Sequence, residues 1–379
     1  MVNLTKLKEI LAIGSADTVG SGISAIFWFY LASQIGPESF GELQWFIGIG
    51  ATASVIALFG SQNVITIHNA KMIKLQSTYN FISLLSSLVL STIVIIIFPS
   101  FYEIDVGIII FAYVINTLAI GNLLGKRLYT TYSKYVLLQK SLTLVLGLPF
   151  LYFFGYESVL FALSLSYIFY LKRIIQNFKE MKIDLSLIKP RIGFILNNYV
   201  ISLVHGFHGQ TDKLIVAPLL GFTILGNYSL ALQIMTMMMI FSNILYKYFI
   251  PNDAAGVSNY RIKVLTILGS VLIAILGITV LPILTPIFFP KFTVVIEIIP
   301  YISIFIISNT IALILESSIL GKLKSKYIVI GDISSFVFMI VGMITLAPIL
   351  GITGIAISLL LNSFLRCGIF FYASQKLKK

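Results

Sequence analysis

The chain has 379 residues, of which 58% are hydrophobic and only 11% are charged. Soluble globular proteins carry about 25% charged residues, so this composition excludes a water-soluble protein of this size and indicates a polytopic membrane protein. A net charge of +12 would suggest nucleic-acid binding in a soluble protein. Here the charges follow a membrane-sidedness pattern instead, and we predict no nucleic-acid partner. The single cysteine, Cys367, excludes an intrachain disulfide.

Apolar runs long enough to cross a hydrocarbon layer of about 30 Å recur along the whole chain. Because backbone groups in lipid must satisfy one another, these runs are predicted to be helices rather than open strands. Glycine and proline mark the breaks between them. We predict twelve spans, at residues 10–33, 42–66, 79–98, 105–124, 135–153, 157–172, 192–217, 222–248, 264–288, 293–319, 327–347 and 352–371.

The charges between the spans predict the orientation of the chain. With a cytoplasmic N-terminus, the inner connections receive most of the Lys and Arg residues, and the very short outer connections hold Glu38, Glu42, Glu103, Asp105 and Glu157. This distribution follows the positive-inside rule. We therefore predict a multi-pass protein of the cytoplasmic membrane with both termini in the cytoplasm.

The longest connection, Lys172 to Arg191, lies on the predicted inner side. Its apolar residues recur at helical spacing opposite lysines, which is typical of a basic amphipathic helix on the inner leaflet. These apolar residues are Ile174, Ile175, Phe178, Met181 and Leu185. A solvated linker is the alternative. Either interpretation divides the chain into an N-terminal six-helix lobe (1–172), a linker (173–191) and a C-terminal six-helix lobe (192–379).

Three motifs repeat in the same order in the two halves. The Gly36 and Gly41 pair recurs as Gly221 and Gly226, LLGKR at 123–127 recurs as ILGKL at 319–323, and a proline six residues before a glycine recurs at 149 and 348. A repeat after six helices predicts parallel pseudo-symmetric lobes with a cavity where they meet.

A polar cluster in span 7 is the first candidate site. His205, His208 and Asp212 are spaced i, i+3, i+7, which places them on one face of a continuous helix, and Lys213 follows. Ionisable groups inside a bilayer are costly and face the protein or water. Hydrogen bonds to neighbouring helices, or the lining of a substrate cavity, would both explain this stripe. A zinc site is weakly indicated, since one carboxylate and two histidines on one helix are a poor metal set, and we predict no metal.

Other ionisable residues lie within the spans. Asp17 lies on span 1 beside several hydroxyl side chains, Asp332 lies on span 11, and both are candidates for coupling to an ion. Lys140 on span 5 and Arg366 on span 12 come from different halves and could offer positive charge to an anionic head group. Asp332 could neutralise Arg366. Lys247, Glu297 and Glu316 are weaker candidates.

No nucleotide-binding loop, nucleophile motif or acid–base motif is present in a water-facing segment. We therefore predict a protein that is not an enzyme and that needs no cofactor.

Three stretches carry a resemblance to a known family. They are GSADTVGSGISAIFWFYLASQIGPESFGELQWFIGIGATASVIALFGSQNV, QTDKLIVAPLLGFTILGNYSLALQI and LAPILGITGIAISLLLNSFLR. They resemble the polysaccharide-export flippases of the multidrug/oligosaccharidyl-lipid/polysaccharide (MATE-like) superfamily, with Asp212, Gly221, Gly226, Tyr228 and Ala231 on the helix 7–8 pattern of that family. The resemblance implies two six-helix lobes around a cationic cavity and export of a polyprenyl-diphosphate-linked oligosaccharide. It also implies membrane lipid, a polysaccharide polymerase and glycosyltransferases as partners.

Three functions therefore remain open. A flippase for lipid-linked oligosaccharide uses Lys140, Lys213 and Arg366, with His205, His208 and Asp212 lining the cavity. A cation-coupled exporter of drugs or metabolites on the same architecture relies on acidic residues instead. A membrane polymerase or ligase for sugar polymers is disfavoured by the short outer connections.

The predicted orientation is open to a direct test at the connection between spans 3 and 4. A reporter fused at Ser100 is expected to be external, because this connection precedes an acidic pair and lacks Lys and Arg. Alkaline phosphatase and green fluorescent protein fusions at this position report the two sides. Fluorescence with no phosphatase activity would contradict the topology.

Overall fold

The computed structural model describes residues 4–59, 62–98, 103–180, 182–257, 259–322 and 324–377. In this part of the chain 89% of residues are helical and no strand occurs, which confirms the all-α class. Ser100, Met181 and Leu323, which carried parts of the sequence argument, lie outside the described residues.

Fifteen α-helices form the described part of the chain. They are α1 Leu4–Gln34, α2 Pro37–Ala57, α3 Gln62–Ala70, α4 Gln76–Ile97, α5 Glu103–Gly125, α6 Tyr129–Phe154, α7 Val159–Leu165, α8 Leu171–Glu180, α9 Ile192–His208, α10 Thr211–Leu220, α11 Phe222–Ala254, α12 Tyr260–Phe288, α13 Val295–Gly321, α14 Lys326–Leu350 and α15 Ile352–Lys376. Short 3-10 turns occupy Tyr156–Ser158, Ile168–Tyr170, Leu185–Leu187 and Lys189–Arg191.

Ten helical stretches in the described residues are long and apolar enough to cross a membrane. The stretch Leu185–Ala254 contains predicted spans 7 and 8 together, and predicted span 1 is not among the ten. Three predicted spans are interrupted helices. Span 2 stops at Ala57 and resumes as α3. Span 6 is α7 followed by a 3-10 turn and the first two residues of α8, the rest of which lies in the predicted linker. Span 7 breaks at residues 209–210 between α9 and α10. The averaged hydropathy of these spans stays high enough for each of them to be counted as one span, so the breaks were not predicted.

The chain forms two compact units. Unit 1 is Met1–Leu31 with Trp45–Thr211, and unit 2 is Ala32–Gln44 with Asp212–Lys379. The end of α1 and the start of α2 therefore belong to unit 2, although the rest of both helices belongs to unit 1. The chain passes from unit 1 to unit 2 again next to the α9–α10 break. The division into lobes at residues 172 and 191 stays a prediction.

In unit 1 the α4 helix buries polar side chains and exposes apolar ones, which is the reverse of the arrangement in a soluble protein. The buried face of α4 is small and polar, with Ser83, Ser87 and Ser91 four residues apart, whereas Leu88 and Ile96 on its other face are more than half exposed. Hydrocarbon solvates leucine as well as a protein core does, so small residues that permit close approach make the helix contacts. The Ser91 hydroxyl accordingly donates to the Gly107 carbonyl of α5 at 3.0 Å.

Unit 2 follows the same rule. The helices α11, α13 and α15 pack through hydroxyl side chains, with Ser242 bonded to Thr310 at 2.7 Å and Ser308 to Ser363 at 2.5 Å. An apolar cluster that contains Ala312, Ile319, Ile328, Phe370 and Ala373 closes one end of these helices. In lipid these hydroxyl pairs hold the helices more than apolar burial does.

The repeated glycine pairs meet in a reciprocal contact within unit 2. A Cβ added at Gly41 of α2 would overlap the carbonyl oxygen of Phe222, and one added at Gly226 of α11 would overlap the carbonyl oxygen of Pro37. Residues 37 and 41 correspond to 222 and 226 at the 185-residue offset of the repeat. The sequence repeat thus corresponds to a pseudo-two-fold crossing of two helix N-termini, where the backbones touch and only glycine fits.

Substitution of either glycine is expected to disrupt this crossing. Gly41→Val and Gly226→Val force two backbones apart, so each is expected to destabilise unit 2 by about 3 kcal/mol or more, above the 1–3 kcal/mol typical of overpacked cores. Thermal unfolding of purified protein in detergent measures the loss. Gly36→Val is the matched control, because a Cβ there meets no atom within 4 Å. Equal melting temperatures for all three variants would contradict the contact.

Candidate functional site

Arg366 of α15 is the centre of a charged cluster in unit 2. Its Nε donates to Oδ1 of Asp332 on α14 at 2.8 Å, and its Nη2 donates to Oε2 of Glu316 on α13 at 2.8 Å. Its Nη1 donates to Oδ1 of Asn309 at 3.3 Å, and the guanidinium lies 5.2 Å from the Phe370 ring centroid. The planar fork of arginine suits such a multidentate arrangement better than a lysine would.

Glu316 extends the cluster to a fourth helix. Its second oxygen, Oε1, accepts the Tyr246 hydroxyl of α11 at 2.7 Å. The side chains of Arg366, Glu316 and Asp332 are 19%, 13% and 15% exposed. At 1.5 Å per residue these groups lie about 8–15 Å inside the helix ends that the topology prediction places in the cytoplasm. With both carboxylates ionised the cluster carries one net negative charge, so it attracts a cation more than an anion.

The expected neutralisation of Arg366 by Asp332 is present in this cluster. Glu316, which the sequence ranked as a weak candidate, is its second acidic partner. The signal that could have identified Glu316 is its position three residues from the predicted cytoplasmic end of span 10, close to the depth of Asp332, which is five residues from the start of span 11. With two carboxylate partners, Arg366 is more fully neutralised than Asp332 alone would make it, and its predicted role as a receptor for an anionic head group stays a prediction.

A second polar cluster lies on α1 and α6 in unit 1. The Tyr132 hydroxyl donates to Oδ1 of Asp17 at 2.9 Å. Two helical turns further along α6, the side chain of Lys140 lies against Gly20 of α1, three residues after Asp17. The absence of a side chain at Gly20 leaves room for the lysine stem, since an added Cβ would lie 3.2 Å from Cγ of Lys140.

Lys140 differs from Arg366 in having no acidic partner in the described part of the chain. Among the described residues its ammonium makes no hydrogen bond or ion pair, although the side chain is partly buried. Lys140 lies about 16 Å along α6 from Tyr129, which is near the middle of a hydrocarbon layer about 30 Å thick. A cation at this depth needs water or an anion as its partner. The binding of an anionic head group by Lys140 stays a prediction.

The third cluster contains the residues predicted to form one polar face of span 7, and that prediction was wrong. The helix breaks at residues 209–210, so His205 and His208 belong to α9 in unit 1, and Asp212 and Lys213 belong to α10 in unit 2. The spacing i, i+3, i+7 therefore does not define one helical face. The side chain of His205 is outside the described part, and His208 is partly buried.

Asp212 is buried and bonded inside unit 2. Its Oδ2 accepts the Tyr228 hydroxyl at 2.7 Å and its Oδ1 accepts the Lys213 backbone N–H at 2.8 Å. The Lys213 ammonium donates to Oε1 of Gln44 at 3.0 Å. Of the two explanations left open by the sequence, hydrogen bonding to neighbouring helices accounts for these contacts. Cavity lining by Asp212 and Lys213 stays a prediction.

A buried amide network in unit 1 was not predicted. Gln76 accepts from Asn69 at 2.6 Å and donates to Asn80 at 2.8 Å, and Arg173 donates to Asn122 at 3.0 Å. Gln76 and Asn80 are four residues apart on α4, but their partners Asn69 and Asn122 come from α3 and α5, and the sequence gave no signal that these helices meet there.

His68 lies beside this network, at the end of α3. Its Nδ1 is 3.1 Å from the Tyr79 hydroxyl. Burial, followed by the positive charges of Arg191 and Lys71, lowers the pKa of His68, so it stays neutral near pH 7. In the described part of the chain no three His, Cys, Asp or Glu side chains gather as a metal site requires.

Similar folds occur among solved transporter structures. The chain matches an inward-facing multidrug resistance MATE family transporter of the MOP superfamily with a TM-score of 0.67 at 15% identity, over 94% of this chain and 93% of that one. An outward-facing structure of a MATE family transporter matches with a TM-score of 0.61 at 15% identity, over 97% and 95%. A MOP superfamily transporter from Pyrococcus furiosus, whose binding pocket of reverse polarity suggests a different function, matches with a TM-score of 0.60 at 16% identity, over 98% and 96%.

These matches show that the chain has the MATE transporter fold and confirm the predicted fold class. No family model and no curated protein matches the sequence.

The ion pairs around Arg366 are expected to contribute to the stability of the fold. Arg366→Gln leaves Glu316 and Asp332 close together without their cation, and breaking such buried pairs typically costs about 3–5 kcal/mol. The added substitution Glu316→Gln removes one uncompensated charge and is expected to restore part of the loss. Thermal unfolding of the single and double variants measures both effects. A double variant no more stable than Arg366→Gln would show that charge compensation is not what holds the cluster.

Proposed function

We propose that the chain is a transporter that moves a polyprenyl-diphosphate-linked oligosaccharide from the inner to the outer leaflet by alternating access, for cell-surface polysaccharide synthesis. The observation that carries the proposal is the Lys140 ammonium, which lies deep in unit 1 without an acidic partner in the described residues. The MATE fold supports the transport mechanism, because its solved neighbours are transporters in inward-facing and outward-facing states.

The charge of the substrate follows from the environment of Lys140. An unpaired lysine at mid-bilayer depth costs about 2.5–3.5 kcal/mol on insertion scales, and an arriving diphosphate would offset that cost. Lysine is a compact point charge that binds phosphate without a fixed geometry, which suits a head group that moves past it. The sugar would follow the diphosphate through the protein, and the polyprenyl tail would remain in the bilayer.

Coupling to an ion would use the acidic residues. Asp17, whose carboxylate accepts the Tyr132 hydroxyl, and Asp332, whose carboxylate accepts from Arg366, would be the binding sites for the coupling ion. His208 is a further candidate. A polysaccharide polymerase, glycosyltransferases and membrane lipid are the partners that such a flippase would have, in the cytoplasmic membrane with both termini inside.

A second candidate is a cation-coupled exporter of drugs or metabolites. The observation that favours it is the net negative charge of the cluster formed by Arg366, Glu316 and Asp332. A cationic substrate would be drawn to that cluster and repelled by Lys140. The polarity of the binding site therefore separates the two candidates.

Substitution of Lys140 tests the flippase proposal. Lys140→Gln is expected to reduce transport of a fluorescent prenyl-diphosphate sugar into proteoliposomes about tenfold, and Lys140→Arg is expected to retain most of it because the charge remains. Lys134→Gln, which removes an exposed lysine from the same helix, is the matched control.

Unchanged transport by Lys140→Gln would contradict the assignment. Faster efflux of a cationic dye by Lys140→Gln, abolished in Glu316→Gln, would favour the exporter instead. Melting temperatures in detergent establish that each variant is folded.

A further inference from the structure

The opposite faces of α8 in unit 1 have different surroundings. One face packs on α4 and α5, where Ile174 is buried, the Asn177 carbonyl accepts the Ser77 hydroxyl at 2.7 Å, and Arg173 donates to Asn122 at 3.0 Å. The predicted apolar stripe of this segment is therefore split, because Ile174 faces protein and Ile175, which is 52% exposed, does not. This attachment fixes α8 rigidly enough to present its other face.

The other face of α8 borders a groove of about 700 Å³. Leu138 of α6, Ile168 and Ile175 form apolar walls, and all three are exposed. Tyr135 and Phe169, whose rings are 5.0 Å apart, form its inner surface. Leu138 lies about 14 Å along α6 from Tyr129, so the groove extends from the predicted cytoplasmic rim into the hydrocarbon layer.

The rim of the groove carries hydrogen-bond donors and no carboxylate. Lys172, Gln176 and Lys179 recur at i, i+4 and i+7, which places them on the groove face of α8. Within the described residues neither lysine ammonium is hydrogen-bonded or ion-paired. The side-chain oxygen of Gln176 accepts a hydrogen bond from Arg173 at 3.0 Å. The side-chain NH2 group of Gln176 therefore remains to face the groove. The nearest acidic residue along α8, Glu180, is paired with Lys126 at 2.6 Å.

We infer that this groove binds one anionic phospholipid of the cytoplasmic leaflet. The head-group phosphate lies between Lys172 and Lys179, which are about 10 Å apart along the helix and whose flexible stems converge on one anion. The acyl chains lie against Leu138, Ile168 and Ile175. Charge complementarity selects the occupant, because a zwitterionic lipid adds a positive choline next to two lysines. The inference does not rest on the proposed function.

Native mass spectrometry of the full-length chain in detergent tests the site, with phosphatidylglycerol and phosphatidylcholine titrated separately. Wild type is expected to bind the first phosphatidylglycerol more tightly than phosphatidylcholine. The double variant Lys172→Gln/Lys179→Gln is expected to weaken phosphatidylglycerol about thirtyfold, because each lysine near an anionic head group contributes about fivefold to sixfold. The control Lys71→Gln/Lys74→Gln removes two exposed cytoplasmic lysines elsewhere and is expected to bind as wild type.

Ile175→Ser tests the apolar wall and is expected to weaken phosphatidylglycerol severalfold while both lysines remain. Inorganic phosphate in excess is not expected to displace the lipid, because it lacks acyl chains. Equal binding by the double variant and wild type, equal affinity for the two lipids, or displacement by inorganic phosphate would each overturn the inference. A preference for a prenyl diphosphate with no binding of phosphatidylglycerol would also overturn it. The single variant Lys179→Gln provides the test if the double variant does not fold.

Discussion

The structure depends on the free-energy cost of leaving a polar group unsatisfied in hydrocarbon. Apolar side chains gain nothing by leaving lipid for protein, so hydroxyl pairs, amide networks and direct backbone contacts hold the helices together. The crossing of Gly41 and Gly226 is the tightest of these contacts, because each glycine lies against a carbonyl of the other helix. The same cost determines where charges are tolerated, and Arg366 is tolerated because two carboxylates and an amide surround it.

Arg366 and Lys140, which both lie within the predicted hydrocarbon layer, therefore differ in how their charge is compensated. Arg366 is paired with Asp332 and Glu316 within unit 2, and with both carboxylates ionised the cluster keeps one surplus negative charge. Lys140 has no such compensation among the described residues of unit 1. In the proposed flippase Lys140 would receive the anionic head group, and the acidic cluster around Arg366 would bind a coupling cation.

Much of the fold could be predicted from the sequence because hydropathy and loop charges respond directly to the bilayer. Nine of the twelve predicted spans are single helices, and the glycine repeat marked a real symmetric contact. The breaks in spans 2, 6 and 7 were not predicted, because a polar interruption such as Gly209-Gln210 can lie inside a continuous membrane helix as well as at a break. The site was less predictable for a physical reason. Partners such as Glu316 for Arg366, or Tyr228 for Asp212, come from other helices, and their approach depends on helix rotation that a periodicity of 3.6 residues does not fix.

The central claim is that Lys140 is the uncompensated cation that receives an anionic head group, and binding measures it most directly. The purified chain in detergent is titrated with a short-chain prenyl diphosphate and with the matching prenyl alcohol. We expect the diphosphate to bind about tenfold more tightly, and we expect Lys140→Gln to remove this preference while Lys134→Gln retains it. A diphosphate preference that survives in Lys140→Gln, in a variant that melts as wild type does, would contradict the account.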